Sequence, residues 1–338
     1  MPADFLPLIG NGAGDWLCGR VDADGRLYQI VHWYHGGGDW IPWGNDLSEA
    51  ILFDAVLPWL PGPQRRHALE AEQRRPQSDA AEPSDRAWLH WALSKVSADL
   101  SDRIVATIRH EPTGMTTRHR QDLADAMIEQ GVAEVAVRCE LVQNAGDDWR
   151  LIETHCGAIV QRNSNLAWPW EWLGLAKHHL GRADQAEIAW RAAATCSAFT
   201  DQSIRLRSDF DSEQQAKFSI ALLLRHGRSP AGDSGGGVDP GSADRDAYIQ
   251  TLINSDAGNV RRRVYDHWTS LADESLAGGD PAGAVAHLMS AGWDLGAQPI
   301  SIYGDLLRRI EEVCESAGQR GRAAVAGVHA DCFRRRFS

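Results

Sequence analysis

The chain has 338 residues and a formal net charge of −12, and 43% of its residues are hydrophobic. This length gives room for a large core and indicates two domains. No apolar run approaches the roughly 20 residues that cross a membrane, and the N-terminus lacks the pattern of a signal peptide. Because phosphate binding needs a basic surface, the acidic charge argues against nucleic acid as the main ligand.

Six cysteines lie far apart in the sequence, and no two of them form a C-x-x-C pair. In a chain of this length, that spacing indicates reduced and buried thiols. Together with the lack of membrane and secretion signals, it predicts a cytoplasmic protein.

The N-terminal segment, residues 1–60, predicts a small antiparallel sheet followed by a helix. A β-prone run over residues 15–18 leads to an Asp-Gly turn at 22–25, of the kind that closes hairpins. A second strand is predicted over 27–34, and Trp-Ile-Pro-Trp at 40–43 follows a glycine break at 36–38.

The helix is predicted to begin after Asp46, with Glu49 as its reciprocal capping partner, and to stop at Pro58. A sheet this small needs cover for its apolar face. We expect that cover from this helix, and from the first helices of the following region through Trp88 and Trp91. Four tryptophans supply the apolar face: Trp16, Trp33, Trp40 and Trp43.

This order of elements resembles the C-terminal half of the SUKH superfamily, which contains the yeast cell-wall assembly regulator and many bacterial toxin-immunity proteins. The matching features are the glycine-rich lead to residues 15–17, the glycine turn, the strand end at 31–33 and the closing helix. The resemblance implies a binding domain, not a catalyst. Family members usually carry helices and a strand before the glycine-rich lead. Either the coding start therefore lies further upstream, or the domain is a reduced version.

The N-terminal segment is also acidic, with eight Asp and Glu against Arg20 and Arg26. An acidic domain suits a basic partner, such as a bacterial nuclease toxin. The alternative is that turns simply favour Asp. Side chains at strand ends can reach a partner, and aromatic residues anchor interfaces. The predicted protein-binding residues are Asp22, Asp24, Asp39, Trp40 and Trp43.

Residues 61–85 are proline-rich and charged, and they predict a linker. From Trp88 onward, apolar residues recur at helical spacing, so residues 86–338 predict an all-α domain. A glycine-rich loop over 228–243 is expected to be mobile.

Two segments of the helical region resemble the tetratricopeptide motif. Trp170-x2-Leu173-Gly174-x6-Gly181-x4-Ala186-x3-Trp190 is repeated 98 residues later, beginning at Trp268 and with Gly279 in place of Gly181. The resemblance implies antiparallel helix pairs in an α-α superhelix. Gly181 and Gly279 should then lie at helix-to-helix turns, and Trp170 and Trp268 should be buried between helices.

The sequence offers no convincing catalytic or metal site. Glycines 10, 12 and 14 precede a strand and lack a following Lys-Ser/Thr, so they indicate a turn and not a phosphate loop. His32, His35 and Asp39 do not converge if they lie on one strand. No nucleophile–base arrangement stands out, although a dispersed triad leaves no local pattern. We therefore expect no enzyme activity, no cofactor and no metal.

The sequence thus predicts an α+β protein, with a SUKH-like sheet and helix over residues 1–60 and a tetratricopeptide-like array over 86–338. Its predicted function is non-enzymatic protein binding, with a toxin-immunity protein as one form of it. The alternative is an intracellular scaffold whose helical groove holds a peptide or subunit. The oligomeric state stays open.

Overall fold

The computed structural model describes residues 1–10, 12, 14–33, 40–61, 83–110, 114–196, 218–226, 240–254, 259–294 and 300–337. Its sheet has four antiparallel strands, each hydrogen-bonded to the next along the chain. They are β1 (Phe5–Gly10), β2 (Trp16–Val21), β3 (Leu27–Trp33) and β4 (Trp40–Gly44). Helix α1 (Leu47–Val56) and a short 3-10 turn (Leu57–Trp59) follow the sheet.

Helices make up the rest of the described chain, which contains no further strand. This α+β arrangement agrees with the predicted fold class. None of the described helices is both long and apolar enough to cross a membrane. The helices are α2 (Pro83–Leu93), α3 (Ala98–Ile108), α4 (Thr117–Glu129), α5 (Glu134–Asn144), α6 (Trp149–Arg162), α7 (Ala167–His179), α8 (Ala183–Thr195), α9 (Phe218–His226), α10 (Pro240–Ile253), α11 (Val260–Ala277), α12 (Pro281–Trp293), α13 (Ile300–Ser316) and α14 (Arg320–Phe337).

The predicted linker and the predicted mobile loop lie mostly outside the described residues. The linker and the loop each end a few residues earlier than predicted, because a helix already begins within the predicted range. Helix α2 already begins at Pro83, and α10 already begins at Pro240. Proline at the first helical position is favourable, because its missing N–H is not needed there.

Strand β1, which contains Pro7, was not predicted from the sequence. The structure places it at the edge of the sheet, where a proline is tolerated. The outer side of the strand is also partly occupied. The Phe5 N–H donates to the Pro2 carbonyl at 3.2 Å, and the Phe5 carbonyl lies 2.8 Å from His329 Nε2 on α14. These features protect part of the edge from pairing with another strand.

One face of the sheet packs on α1, as predicted. Leu17, Ile30, Ile41 and Trp43 form a core with residues of α1 and of the next helices, up to α5. The predicted contribution of Trp88 and Trp91 is wrong, since the two side chains are 54% and 39% exposed. Their helix instead contributes the neighbouring Ala92 and Leu93 to this core.

The other face of the sheet is buried as well. Phe5, Cys18, Val31, Trp33 and Trp40 share a second core with helices from both the middle and the C-terminal end of the chain. The sheet is therefore the middle layer between two groups of helices. The N-terminal segment does not form a core of its own, because both cores that it enters include residues from the helical region.

Hydrogen bonds fix the sheet and α1 to neighbouring helices. Gln29 Nε2 donates to Asn163 Oδ1 at 2.8 Å in a buried contact between β3 and the end of α6. On the opposite side, Asp46 caps α1 by accepting from the Glu49 N–H, as predicted. The Glu49 carboxylate accepts from the Ala133 N–H at 2.9 Å, which fixes α1 to the start of α5.

Within the described residues, four pairs of successive helices are joined by the same glycine turn. In each, the glycine N–H and the next N–H bond to two carbonyls in the last turn of the preceding helix, an arrangement that requires a left-handed glycine. The predictions for Gly181 and Gly279 are confirmed by their φ values of 80° and 79°. Gly131 and Gly318 make the same turn without the surrounding motif.

Packing inside the motif agrees only partly with the prediction. A Cβ on Gly174 would lie 2.2 Å from Trp190 Nε1, so this glycine does allow close approach of α7 and α8. Trp170 and Trp268 are half-buried and not buried, whereas Trp168 and Trp190 are enclosed. The indole N–H groups of Trp170 and Trp268 donate to polar partners, namely the Ser164 carbonyl and the Asp294 carboxylate.

Substitution of the turn glycines should separate the effect of backbone conformation from that of side-chain size. We expect Gly181→Ala and Gly279→Ala each to lower the free energy of unfolding by about 1–2 kcal/mol, because alanine is strained at positive φ. Gly157, inside α6 with no atom near its added Cβ, is the control. Gly157→Ala should raise stability by about 0.5–1 kcal/mol. If all three variants changed the free energy of unfolding, measured in denaturant, by the same amount, backbone strain at positive φ would not be the cause.

The carboxyl group of Asp54 on α1 should make stability depend on pH. Burial raises its pKa to about 7, against a smaller opposite effect of the hydrogen bond from Trp43. The unfolded chain releases this proton near pH 4 and the folded protein near pH 7. The contribution of the Asp54 carboxyl group to the free energy of unfolding is therefore fully present below pH 4. It is lost as the pH rises through 7.

Between pH 5 and pH 8 the wild type should lose about 2 kcal/mol of unfolding free energy that Asp54→Asn does not lose. The variant should therefore gain that amount relative to the wild type over this range. Denaturant midpoints at the two pH values measure the gain. The exposed Asp102→Asn is the control. A constant difference between Asp54→Asn and the wild type would show that Asp54 titrates alike in the folded and unfolded states.

Candidate functional site

Two of the predicted binding residues are core residues in the structure. Trp40 and Trp43 are only 3% and 1% exposed. Trp40 meets Phe5 edge-on at 5.6 Å, and Trp43 meets Phe53 edge-on at 4.9 Å. Neither indole can serve as an exposed anchor in this conformation, because each is covered by one of the two cores. Asp39, a further predicted residue, lies outside the described residues.

The predicted acids Asp22 and Asp24 lie on the turn between β2 and β3. Asp22 Oδ1 accepts from the N–H groups of Asp24 and Arg26, both at 2.9 Å, so this carboxylate fixes the turn. Gly25, with φ of 85°, lies against Gly321 at the start of α14. Asp24 is exposed to solvent. The turn is thus held from two sides and presents the Asp24 side chain outward.

Exposed apolar side chains are concentrated on the first three strands of the sheet. Of the eleven large hydrophobic residues exposed in the described chain, five lie between Leu6 and Tyr28. Three of them, Leu6, Ile9 and Leu27, are 37–48% exposed and are called the sheet surface below. Strand register places Leu6 opposite Gly19 and Ile9 opposite Leu17, on the face that α1 covers further along.

Gly19 brings two residues of this surface, Leu6 and Leu27, close together. A Cβ at Gly19 would lie 2.3 Å from Leu27 Cδ2, so the leucine side chain fills the space above the glycine. Leu6 lies directly across from that position on the neighbouring strand. The sheet surface is therefore an apolar area beside the acidic turn. The surface was not predicted, because β1 was not recognised as a strand. The continuous apolar run over residues 5–9 is the signal that could have indicated it.

A separate cleft of about 380 Å³ lies between the second face of the sheet and the helices. Its aromatic walls are Phe5, Trp40, Trp268 and Trp293, and we call it the aromatic cleft. The lining comes from the sheet, from the turn between α6 and α7, and from the ends of α8 and α12. No local sequence pattern could have indicated a site built from segments so distant in the chain.

The sheet side of the aromatic cleft contains an enclosed ion pair. Arg20 Nη2 lies 3.3 Å from Asp4 Oδ2, and the two side chains are 13% and 12% exposed. The guanidinium carbon lies 4.9 Å from the centre of the Trp40 ring, in cation–π geometry. Arg20 Nη1 also donates to Gln29 Oε1, which continues the network toward Asn163.

The helical side of the cleft contains a second buried carboxylate. Asp294 ends α12 and is 4% exposed. Its Oδ2 accepts from Trp268 Nε1 at 2.9 Å and from the Tyr248 hydroxyl. Burial, and then the nearby Asp294 charge, raise the pKa of Tyr248 well above its usual value, so the tyrosine remains a hydrogen-bond donor.

Metal-binding and cysteine chemistry find little support in the part of the chain described. No group of three or more His, Cys, Asp or Glu there could hold a metal ion. His32 is buried against Trp43, with ring centres 4.8 Å apart. Five of the six cysteines are buried, as predicted, and Cys332 is exposed; none of the six forms a disulfide.

Comparisons with protein-family models, with curated proteins and with solved structures found nothing that matches this chain. The SUKH and tetratricopeptide relationships therefore stay predictions that rest on the residues quoted above.

The ion pair in the aromatic cleft should be important for stability. We expect Arg20→Gln to cost about 3 kcal/mol, because it leaves the Asp4 carboxylate buried without its guanidinium. The matched control is Arg103→Gln, since the Arg103–Asp99 pair on α3 is more than half exposed at both side chains. That change should cost about 0.5 kcal/mol or less. Similar losses in denaturant unfolding would contradict the proposed burial of the Arg20 pair.

Proposed function

We propose that this is a non-enzymatic protein-binding protein, and that its partner docks on the sheet surface. The observation that carries the proposal is the concentration of exposed apolar side chains there, with Leu6 and Leu27 adjacent across Gly19 and Ile9 further along the same face of β1. Soluble proteins seldom expose contiguous apolar surface without a use for it, and such surface commonly marks a protein interface. A rigid sheet supports it, so little ordering is needed on binding.

The charge beside the sheet surface favours a basic partner. Asp24 is exposed on the fixed turn next to Leu27, and the whole chain carries a net charge of −12. An apolar centre with charged residues at its margin is the usual organisation of a protein interface. The expected partner therefore presents apolar side chains surrounded by Lys and Arg.

A bacterial toxin with a basic surface would be one such partner, and the protein would then act as its immunity protein. Two features support this form of the function: the acidity of the N-terminal segment and its resemblance to the SUKH superfamily. Inhibition would follow from occlusion alone, with no chemical step.

An intracellular scaffold is the second candidate. The repeated glycine turns at residues 131, 181, 279 and 318 favour it, since paired helices of this kind often build binding arrays. In this alternative the helices would hold the partner, and the sheet would only complete their core.

Site-specific photo-crosslinking would identify the partner and its contact surface together. A photoreactive amino acid in place of Leu27, compared with one in place of Ile188, would be introduced into the full chain in its source cells. Ile188 on α8 is 66% exposed and lies far from the sheet in sequence. An adduct with the same basic protein from position 27 alone would support the proposal. Equal labelling from both positions would not.

Binding kinetics with the purified partner should divide the roles of charge and apolar contact. Leu27→Asp should raise the dissociation rate about tenfold or more, because it places a charge in the apolar centre. Asp24→Asn should lower the association rate and weaken its dependence on salt. Ile188→Asp is the control and should change neither rate. If only changes in the helices affect binding, the scaffold alternative is correct.

The immunity form of the function has its own measurement. The partner expressed alone should stop growth, and co-expression of the intact chain should restore it. Leu27→Asp should fail to restore growth, whereas Ile188→Asp should succeed. A partner that is harmless alone would leave protein binding intact as the function and remove toxin immunity from it.

A further inference from the structure

We infer that the aromatic cleft is a binding site for an organic cation, with an ammonium or guanidinium group as the part recognised. This inference concerns a different surface from the proposed partner site and does not depend on it. It rests on the groups that line the cleft, on their hydrogen bonds and on their charges.

The chain's own Arg20 shows that one side of the cleft suits a guanidinium. Its Nε and Nη2 donate to Asp4 Oδ2, and its plane lies near two rings, 4.9 Å from the centre of Trp40 and 5.8 Å from that of Phe5. A carboxylate combined with aromatic faces stabilises a cation through both charge and ring quadrupole.

The helical side of the cleft repeats this combination. Asp294 supplies a buried carboxylate, and the rings of Trp268 and Trp293 belong to the same lining. The hydrogen bond from Trp268 Nε1 fixes the carboxylate next to that indole. Arg20 is the only Lys or Arg among the described residues that line the cleft, and it lies on the sheet side.

The hydroxyl groups in the lining favour a ligand that donates hydrogen bonds. Thr195 Oγ1 donates to the Ala192 carbonyl at 2.9 Å, and Ser290 Oγ donates to the Ala286 carbonyl at 3.2 Å. Because each hydroxyl has only one hydrogen, both oxygens are left to accept from a ligand. Ammonium and guanidinium groups only donate, so they match this lining, whereas an anion would meet two carboxylates.

The size of the cleft indicates more than a bare ion. About 380 Å³ lies in the range of small-ligand pockets, and the aromatic walls require an apolar body on the ligand. An alkyl guanidine or amine meets both conditions. The same group could come from a small molecule or from an arginine or lysine side chain of a polypeptide.

Calorimetric titration of the intact protein with two compounds of equal shape tests the inference. Butylguanidinium is the cationic probe, and butylurea is its neutral counterpart. We expect the cation to bind at least about tenfold more tightly. Equal affinities, or no heat from butylguanidinium up to about 10 mM, would overturn the inference.

Variants of cleft residues test whether butylguanidinium binds in the aromatic cleft. Asp294→Asn removes the charge but keeps an oxygen that accepts from Trp268 and Tyr248, and it should weaken butylguanidinium about tenfold. The control is Asp305→Asn, on an exposed position of α13, which should leave the affinity unchanged. If Asp294→Asn does not fold, Ser290→Lys provides the second test, since an internal ammonium should exclude the probe. If a folded Asp294→Asn or Ser290→Lys variant bound butylguanidinium with unchanged affinity, the aromatic cleft would not be the binding site.

The source of the cation is distinguished with a third probe, the blocked tripeptide acetyl-Gly-Arg-Gly-amide. Tighter binding of the tripeptide than of butylguanidinium would assign the cleft to a polypeptide side chain. Tighter binding of butylguanidinium would assign it to a small amine or guanidine. Both results support cation recognition. Failure of both probes, with partner binding at the sheet surface intact, would reject this inference and leave the proposed function standing.

Discussion

Burial of the small sheet on both of its faces is the constraint on which the rest of the structure depends. Four short strands cannot form a stable unit in water when both faces are apolar. Helices from two parts of the chain therefore cover them, α1 to α5 on one face and mainly later helices on the other. The C-terminal helix reaches back as far as the first strand, where His329 meets the Phe5 carbonyl.

Both candidate surfaces arise where this cover is incomplete. On the face that carries α1, the helices do not reach the start of β3 or the middle of β1, so Leu6, Ile9 and Leu27 stay exposed. On the other face, a gap between the sheet and the ends of several helices leaves the aromatic cleft. One surface is an apolar area beside acids, which suits a protein. The other is a concave site with buried charges, which suits a small group or a single side chain.

The position of each tryptophan depends on its surroundings and not on its residue type. Trp40 and Trp43 lie in a strand with both faces covered, so alternation puts each indole into one of the two cores. Trp88 and Trp91 lie three residues apart on one side of α2, and that side faces solvent. Counting aromatic residues therefore could not separate an interface anchor from a core residue.

The sequence by itself determined the local features that are set by a few neighbouring residues. These include the Asp46 cap, the Asp-Gly turn, the left-handed glycines at 181 and 279, and the α+β order of elements, each of which depends on short-range backbone chemistry. Only the tertiary structure decided which apolar faces are covered, that β1 forms an edge strand despite Pro7, and that Arg20, Asp4 and Asp294 meet around one cleft. Those outcomes depend on contacts between residues up to 324 positions apart, and such contacts leave no periodic pattern in a single sequence.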